Sequence, residues 1–281
     1  MKPQLFPEDV LLKARALFPH IASGRIYLNH AATSPLSTRV VAAVQTHLNN
    51  RSSGAIDDYW TTLEKITELR KNIATLINAE SSTRIAFTPS TTDAINIVAS
   101  GIKWKRGDRV LLNDMEFPAN VYPYRALKRR GVEVDVIPSE NNRITPEMIE
   151  RFLKLETRVV ALSAVQFLTG FRADLQAIGE ICRKRNIILA VDAIQAVGAV
   201  KLDVQKMNID ALAAGAQKWQ MSPHGSGFLY VTEKLQQEIT EQNIGWLSVE
   251  NPWNFFDFDQ PLDPTARRYE GGSLVMPSLW G

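Results

Sequence analysis

Between Arg84 and Val231, short runs of β-branched and aliphatic residues alternate with stretches whose apolar residues recur at helical spacing, and no other feature restricts the fold so far. Strands are expected at Arg84–Thr88, Arg109–Asn113, Glu133–Ile137, Arg158–Ser163, Ile187–Asp192 and Gly227–Val231. Helices are expected from about Thr91 to Ser100, from about Ala119 to Arg130 and over Asp174–Arg185. In the last of these, Asp174 can cap the first-turn amides, and Leu175, Ile178, Ile181 and Cys182 share one face. Upstream, helices near Leu36–Leu48 and Tyr59–Ile77 form an α-rich lead-in. Strands alternating with helices of this length predict an α/β domain with a mostly parallel sheet flanked by helices, an α/β/α sandwich.

At 281 residues the chain suffices for one large domain or two modest ones. A net charge of +2 gives no reason to invoke nucleic acid or an anionic membrane. The local basic runs, Lys128 to Arg130 before Gly131 and Arg183 to Arg185 before Asn186, sit where helices should end and complement the helix dipole. The one cysteine excludes an internal disulfide and a cysteine-rich metal site, and Cys182 falls on the core face of its helix. No His/Asp/Glu spacing points to a metal, and no GxSxG elbow points to a serine hydrolase. The opening MKPQLFPEDV has no apolar leader core, and no segment approaches a membrane span, so a cytoplasmic protein is expected.

Ligands of such sheets gather at the carboxyl ends of the strands, and three places there carry chemistry. Thr88-Pro89-Ser90-Thr91-Thr92-Asp93 joins a strand to a helix, where hydroxyls and free amides suit a phosphate, although a simple N-cap reads the same way. Ile187–Gln195 runs through five apolar residues to Asp192, a carboxylate that needs a partner or caps a following helix. The run IDALAAGAQKWQM at Ile209–Met221 carries Lys218, which taken singly reads as a solvated strand end. A phosphate cradle, a buried acid and a buried amine at one sheet edge are what pyridoxal phosphate needs for its phosphate, its ring nitrogen and its aldehyde. That coincidence makes Lys218 the expected Schiff-base residue.

The sequence also resembles the class V aminotransferase and cysteine desulfurase group of fold-type-I pyridoxal-phosphate enzymes. The resemblance starts at Tyr27-Leu28-Asn29-His30-Ala31-Ala32-Thr33 and extends to Ser273; its specific part is VDAIQAVGAVKLDV at Val191–Val204 with GAQKW at Gly215–Trp219. It implies that Lys218 holds the cofactor and then moves the substrate α-proton, and that Asp192 pairs with the pyridinium nitrogen. Gln195 is implied as a hydrogen-bond partner of the ring hydroxyl oxygen, Thr91 and Thr92 as phosphate ligands, and Phe117 as the ring stacked on the cofactor. Ser273, in YEGGS, matches a residue that reaches the phosphate of the neighbouring subunit, which implies a homodimer. Asn29, His30, Ala31 and Ala32 match a loop that lines the pocket of a small amino-acid substrate.

Several positions depart from that pattern. Phe117 and Gln217 stand where desulfurases usually carry histidines, although Gln217 can still donate to the phosphate. Gly215 stands where a phosphate-binding serine is common, and Ala164 and Phe167 replace a histidine and an asparagine near the ring. These changes lean away from desulfurase proper and towards epimerase-like and carbon–sulfur lyase-like relatives. His30 and His224 lie in loops expected near the cofactor, whereas His20 and His47 have no such context.

The expected division is an N-terminal helical arm over 1–20, a cofactor-binding large domain over 21–260, and over 261–281 the start of a segment leading to a small domain that is absent. That small domain normally brings the arginine for the substrate carboxylate, and Arg267 and Arg268 are expected as surface or interface charges instead. The expected function is chemistry at the α-carbon of a small amino acid, with transamination, elimination, racemisation and desulfuration all open. The rivals are a truncated, non-catalytic pyridoxal-phosphate-binding remnant and a nucleotide-binding α/β module.

Overall fold

Among the described residues, seven strands form one sheet: β1 (Ile85–Thr88), β2 (Arg109–Asn113), β3 (Glu133–Ile137), β4 (Thr157–Ser163), β5 (Ile188–Asp192), β6 (Ala211–Gly215) and β7 (Gly227–Val231). Their spatial order is β1-β7-β6-β5-β4-β2-β3. Neighbours from β6 through β5, β4 and β2 to β3 pair in parallel, while β7 runs antiparallel to both β1 and β6. The antiparallel strand follows from its connection. Residues 216–226 contain no helix, and a parallel return needs a crossover of a dozen or more residues.

The molecule is a computed structural model describing residues 6–54, 56 and 59–281, so the first five residues of the expected arm lie outside the described set. Helices α1 (Glu8–Ala16), α2 (Pro19–Ala22), α3 (Thr38–Ser53) and α4 (Tyr59–Ile77) precede the sheet. Then come α5 (Thr91–Gly101), α6 (Tyr122–Ala126), α7 (Pro146–Phe152), α8 (Leu175–Lys184), α9 (Glu233–Glu238) and α10 (Met276–Trp280). The single helix expected over Ala119–Arg130 is instead the short α6 between two 3₁₀ turns, Pro118–Asn120 and Leu127–Arg130. Pro118 and Pro123 interrupt the amide ladder there. Helices α7, α9 and α10 escaped the sequence reading: α7 is capped by Thr145 with Pro146 behind it, and α9 is capped by Thr232.

Alternation along the strands fills two cores. Ile85, Phe87, Leu111, Val160, Leu162, Leu189, Val191 and Leu212 face Ile66, Ile73 and Ile77 of α4, Met148 and Ile149 of α7, and Ile178 and Cys182 of α8. On the other face Ala86, Ala161, Ala190, Ala211 and Ala213 are small, and α5 packs over them through Ala94, Ile95, Val98 and Ala99. Close approach of α5 sets its N-terminus beside the ends of β5 and β6. Cys182 is buried, and burial pushes its thiol up to about 12, as suits an inert core residue.

Residues 261–281 fold back onto this body. Ala266 and Tyr269 are buried, Glu270 pairs with Arg70, and α10 packs against α3, where Trp280 stacks on the buried His47 at 5.2 Å. No helix among the described residues is long and apolar enough to cross a membrane.

Candidate active site

The carboxyl ends of β5 and β6 and the N-terminus of α5 open on a cavity of about 470 Å³. Asn29, Thr91, Thr92, Phe117, Asp192, Gln217 and Lys218 all line it, with Ala31 and Ala32 at one side and Phe167 at another. These residues come from six segments between Asn29 and Lys218.

The hydroxyl-rich turn divides its labour. Ser90 caps α5, accepting the Asp93 amide at 3.2 Å and donating to the Asp93 carboxylate at 2.6 Å. Thr91 is buried, and its Oγ1 has no hydrogen-bond partner, an orphan that buried hydroxyls seldom are. A Cβ on Gly215 would come within 2.6 Å of the Gln217 Oε1 and 3.0 Å of Thr91 Oγ1, so the glycine at the end of β6 keeps this corner open.

Asp192 ends β5 and is buried, and its carboxyl accepts from the Ile194 amide at 3.0 Å. No helix starts there, so the alternative of a helix cap is excluded. Burial pushes its carboxyl up to about 7, with the Glu116 charge adding and the Ile194 amide and Lys218 opposing. Lys218 lies three residues beyond β6 in a turn, partly buried. Burial pulls its amine below the usual lysine range, and the Asp192 charge opposes. Its Nζ stands 5.6 Å from the centroid of the Phe117 ring. Phe117 meets Phe167 edge-on at 5.2 Å, so two rings wall one side of the cavity.

The Asn29–Thr33 loop is fastened over the opposite side. Gln217 O accepts from the Ser34 amide at 3.0 Å and from Thr33 Oγ1 at 3.2 Å, and Tyr27 donates to Thr33 O at 2.7 Å. Gln195 does not line the cavity. It sits behind it, donating to Ala31 O at 2.8 Å while the Trp219 indole donates to its Oε1 at 2.9 Å. His30 likewise turns from the cavity and stacks on Trp219 at 5.2 Å. Gly198, at φ +92°, lets this turn approach, because a Cβ there would lie 2.5 Å from Trp219 O. His224, expected near the cofactor, is not among the lining residues.

Ser273 is exposed and lies in a second cavity of about 540 Å³, on the other side of the Thr88–Asp93 turn. A single chain does not bring it to Thr91. Arg267 and Arg268 serve locally, pairing with Asp263 at 3.6 Å and Glu241 at 3.0 Å. Sequence reasoning missed Glu116 and Trp219. Glu116 ends the run NDME just past β2, at the same sheet edge that singled out Asp192.

The α/β/α sheet is that of the fold-type-I pyridoxal-phosphate transferases, and an amine, an acid and an orphan hydroxyl converge at one of its edges. The model of the family described as aminotransferase class-V matches residues 26–281, and the chain belongs to that family. A probable cysteine desulfurase of Methanothermobacter thermautotrophicus is 33% identical over 261 residues, covering 91% of this chain and 64% of that protein. The chain thus spans somewhat under two thirds of that relative's length. Two structures of C-DES are also similar. A mutant with glycine covalently linked to its PLP cofactor shares 25% identity at a TM-score of 0.86, over 95% of this chain and 71% of that one. The complex of this cystine C–S lyase with its product cysteine persulfide shares 25% at 0.85, over 94% and 71%.

The residues present fit the cofactor. The Thr91 hydroxyl lacks a partner that a phosphate oxygen supplies, and the desolvated Asp192 carboxyl, lining the same cavity, would gain a charged donor in a pyridinium N–H. Lys218 contributes an amine whose burial favours the neutral, nucleophilic form.

Proposed function

We propose that this chain is the cofactor-binding part of a pyridoxal-phosphate enzyme acting at the α-carbon of a small amino acid. The reading is carried by one observation, the convergence of the Lys218 amine, the Asp192 carboxyl and the unpartnered Thr91 hydroxyl on one cavity. Lys218 would hold the cofactor through Nζ, Asp192 would face its ring nitrogen, and Thr91, Thr92 and Gln217 with the α5 amides would take its phosphate. When bound, the cofactor supplies an electron sink that lets the substrate's Cα–H bond break heterolytically. Lys218 is the group that moves the proton at Cα, since Asp192 is the other titratable side chain lining the cavity and is committed to the ring nitrogen. Phe117 and Phe167 shield that side from water, and the Gln195 amide, oriented by Trp219, stands behind the ring-hydroxyl position.

In this reading residues 21–260 form the cofactor-binding domain, 1–20 the arm and 261–281 the approach to a further domain. A second copy would bring Ser273 to the phosphate, and the solitary, buried Cys182 suits a reducing cytoplasm. The relatives named as desulfurase and C–S lyase favour a sulfur amino acid as substrate. A non-catalytic, cofactor-binding remnant is the second reading, favoured by a cavity whose lining holds no arginine among the described residues to anchor a substrate carboxylate.

The test is spectroscopic. Purified protein mixed with pyridoxal phosphate should turn yellow, borohydride should fix the cofactor on Lys218, and Lys218→Ala should abolish the fixation. Cofactor fixed elsewhere, or not at all, defeats the proposal. Sulfide release from cysteine, or amino transfer to an α-keto acid, separates the enzymatic branches, and fixation without turnover selects the second reading.

A further inference from the structure

Glu116 is buried, and among the described residues no cation pairs with it. It accepts five hydrogen bonds: at Oε1 from Asn113 Nδ2 (2.6 Å), the Ser163 amide (2.8 Å) and Gln166 Nε2 (2.7 Å), and at Oε2 from Asn120 Nδ2 (2.9 Å) and Ser163 Oγ (2.6 Å). Five donors on one carboxylate saturate its lone pairs and make its charge tolerable where it is buried. So costly a group is seldom retained for stability alone, since apolar packing does that work at less risk.

Its partners explain what it does. Asn113 ends β2, and Ser163 ends β4 opposite Asp192 in the register. Asn120 closes the 3₁₀ turn after Phe117, and Gln166 precedes Phe167. Both aromatic walls of the cavity are therefore chain neighbours of this cluster: Phe117 follows the carboxylate itself, and Phe167 follows one of its donors. Neither ring is held by burial, since they are 41% and 39% exposed, so their placement depends on the backbone beneath them.

We propose that Glu116 is a positioning residue of the cofactor site, the hub whose hydrogen bonds hold the Phe117 and Phe167 rings over the cavity at the edge bearing Asp192. The inference rests on the reading of the cavity as a pyridoxal-phosphate site and deepens it by giving the aromatic wall a support. Glu116→Gln keeps the shape but turns one oxygen into an NH2 facing donors, so the cluster must rearrange and the rings must move. Ser163→Ala removes a single donor and leaves the fold less disturbed.

The experiment is equilibrium binding of pyridoxal phosphate, followed by absorbance, with thermal melting of the cofactor-free protein alongside. Glu116→Gln should raise the dissociation constant ~10-fold, and Ser163→Ala by a smaller factor. In a Phe117→Ala, Phe167→Ala background both effects should shrink to under twofold, because the rings they position are gone. A merely structural role would lower the melting temperature and leave the dissociation constant unmoved. Unchanged binding in both variants, or equal losses in both backgrounds, overturns the inference while the site reading stands. If the unaltered protein takes up no cofactor, the site reading fails first and carries the inference with it.

Discussion

Asp192 is held where its charge is least welcome. With its carboxyl pushed up to about 7, against roughly 3.9 in an unfolded chain, it favours the fold only while protonated. That contribution is complete below about pH 4 and is lost as pH rises through 7, a swing of roughly 4 kcal/mol from this group. Asp192→Asn should therefore raise the melting temperature of cofactor-free protein more at pH 8 than at pH 5, while weakening cofactor binding. Equal gains at both pH values would contradict the burial argument. Asp192, Lys218 and Thr91 were legible because each stands where an apolar run or a capping turn meets a sheet edge, and their chemistry is incompatible with plain core. Glu116 was not, since its neighbour Phe117 drew attention as a stacking ring while the donors that reveal it lie at 113, 120, 163 and 166. Gln195 and His30 sit one layer back for a reason no periodicity contains: Trp219 claims the amide oxygen of one and the ring face of the other.

Between elements, the tie that most repays testing is α4 to β1 and the loop before Ser273. Arg70 and Glu270 form a buried bidentate pair at 2.6 and 3.1 Å; Arg70 also donates to Ile85 O at 2.6 Å, and the Phe87 amide donates to Glu270 at 2.7 Å. Removing one partner strands the other charge in the core. Arg70→Ala should cost about 3–5 kcal/mol, read as a shift in urea midpoint at unchanged slope. The double variant with Glu270→Ala should lose less than the sum of the two single losses, because no lone charge remains. Six strands were legible to within a residue, as short runs rich in β-branched and aliphatic residues closed by a polar turn, whereas β6 was read only as the apolar run before Lys218. The Ala119–Arg130 helix was not, because its helical spacing was read past Pro123, which splits it. That β7 runs antiparallel could have been argued from the helix-free 216–226 connection, whereas strand order pairs β1 with β7 and the Arg70–Glu270 tie joins residues 200 positions apart, and neither leaves a local trace.

At the scale of the whole molecule, the two cavities back onto the same Thr88–Asp93 turn, with Thr91 opening into one and Ser273 into the other. In the proposed dimer, Ser273 of one copy completes the phosphate site of its mate, so cofactor binding and self-association must be linked. Linkage is reciprocal: whatever factor association adds to cofactor affinity, cofactor adds to association. Sedimentation velocity across a range of protein concentrations should show pyridoxal phosphate shifting the population towards dimer, and binding isotherms should tighten as concentration rises. A hydrogen bond to a charged phosphate is worth about 1.5–3 kcal/mol, so the coupling should be about ten- to a hundredfold. Ser273→Ala should abolish that coupling, leaving association in cofactor-free protein as it was, because an exposed serine contributes little to an interface by itself. No coupling in the unaltered protein would place the phosphate wholly within one chain, held by Thr91, Thr92 and Gln217, and a coupling that survives the substitution would assign it to a cross-chain contact other than Ser273.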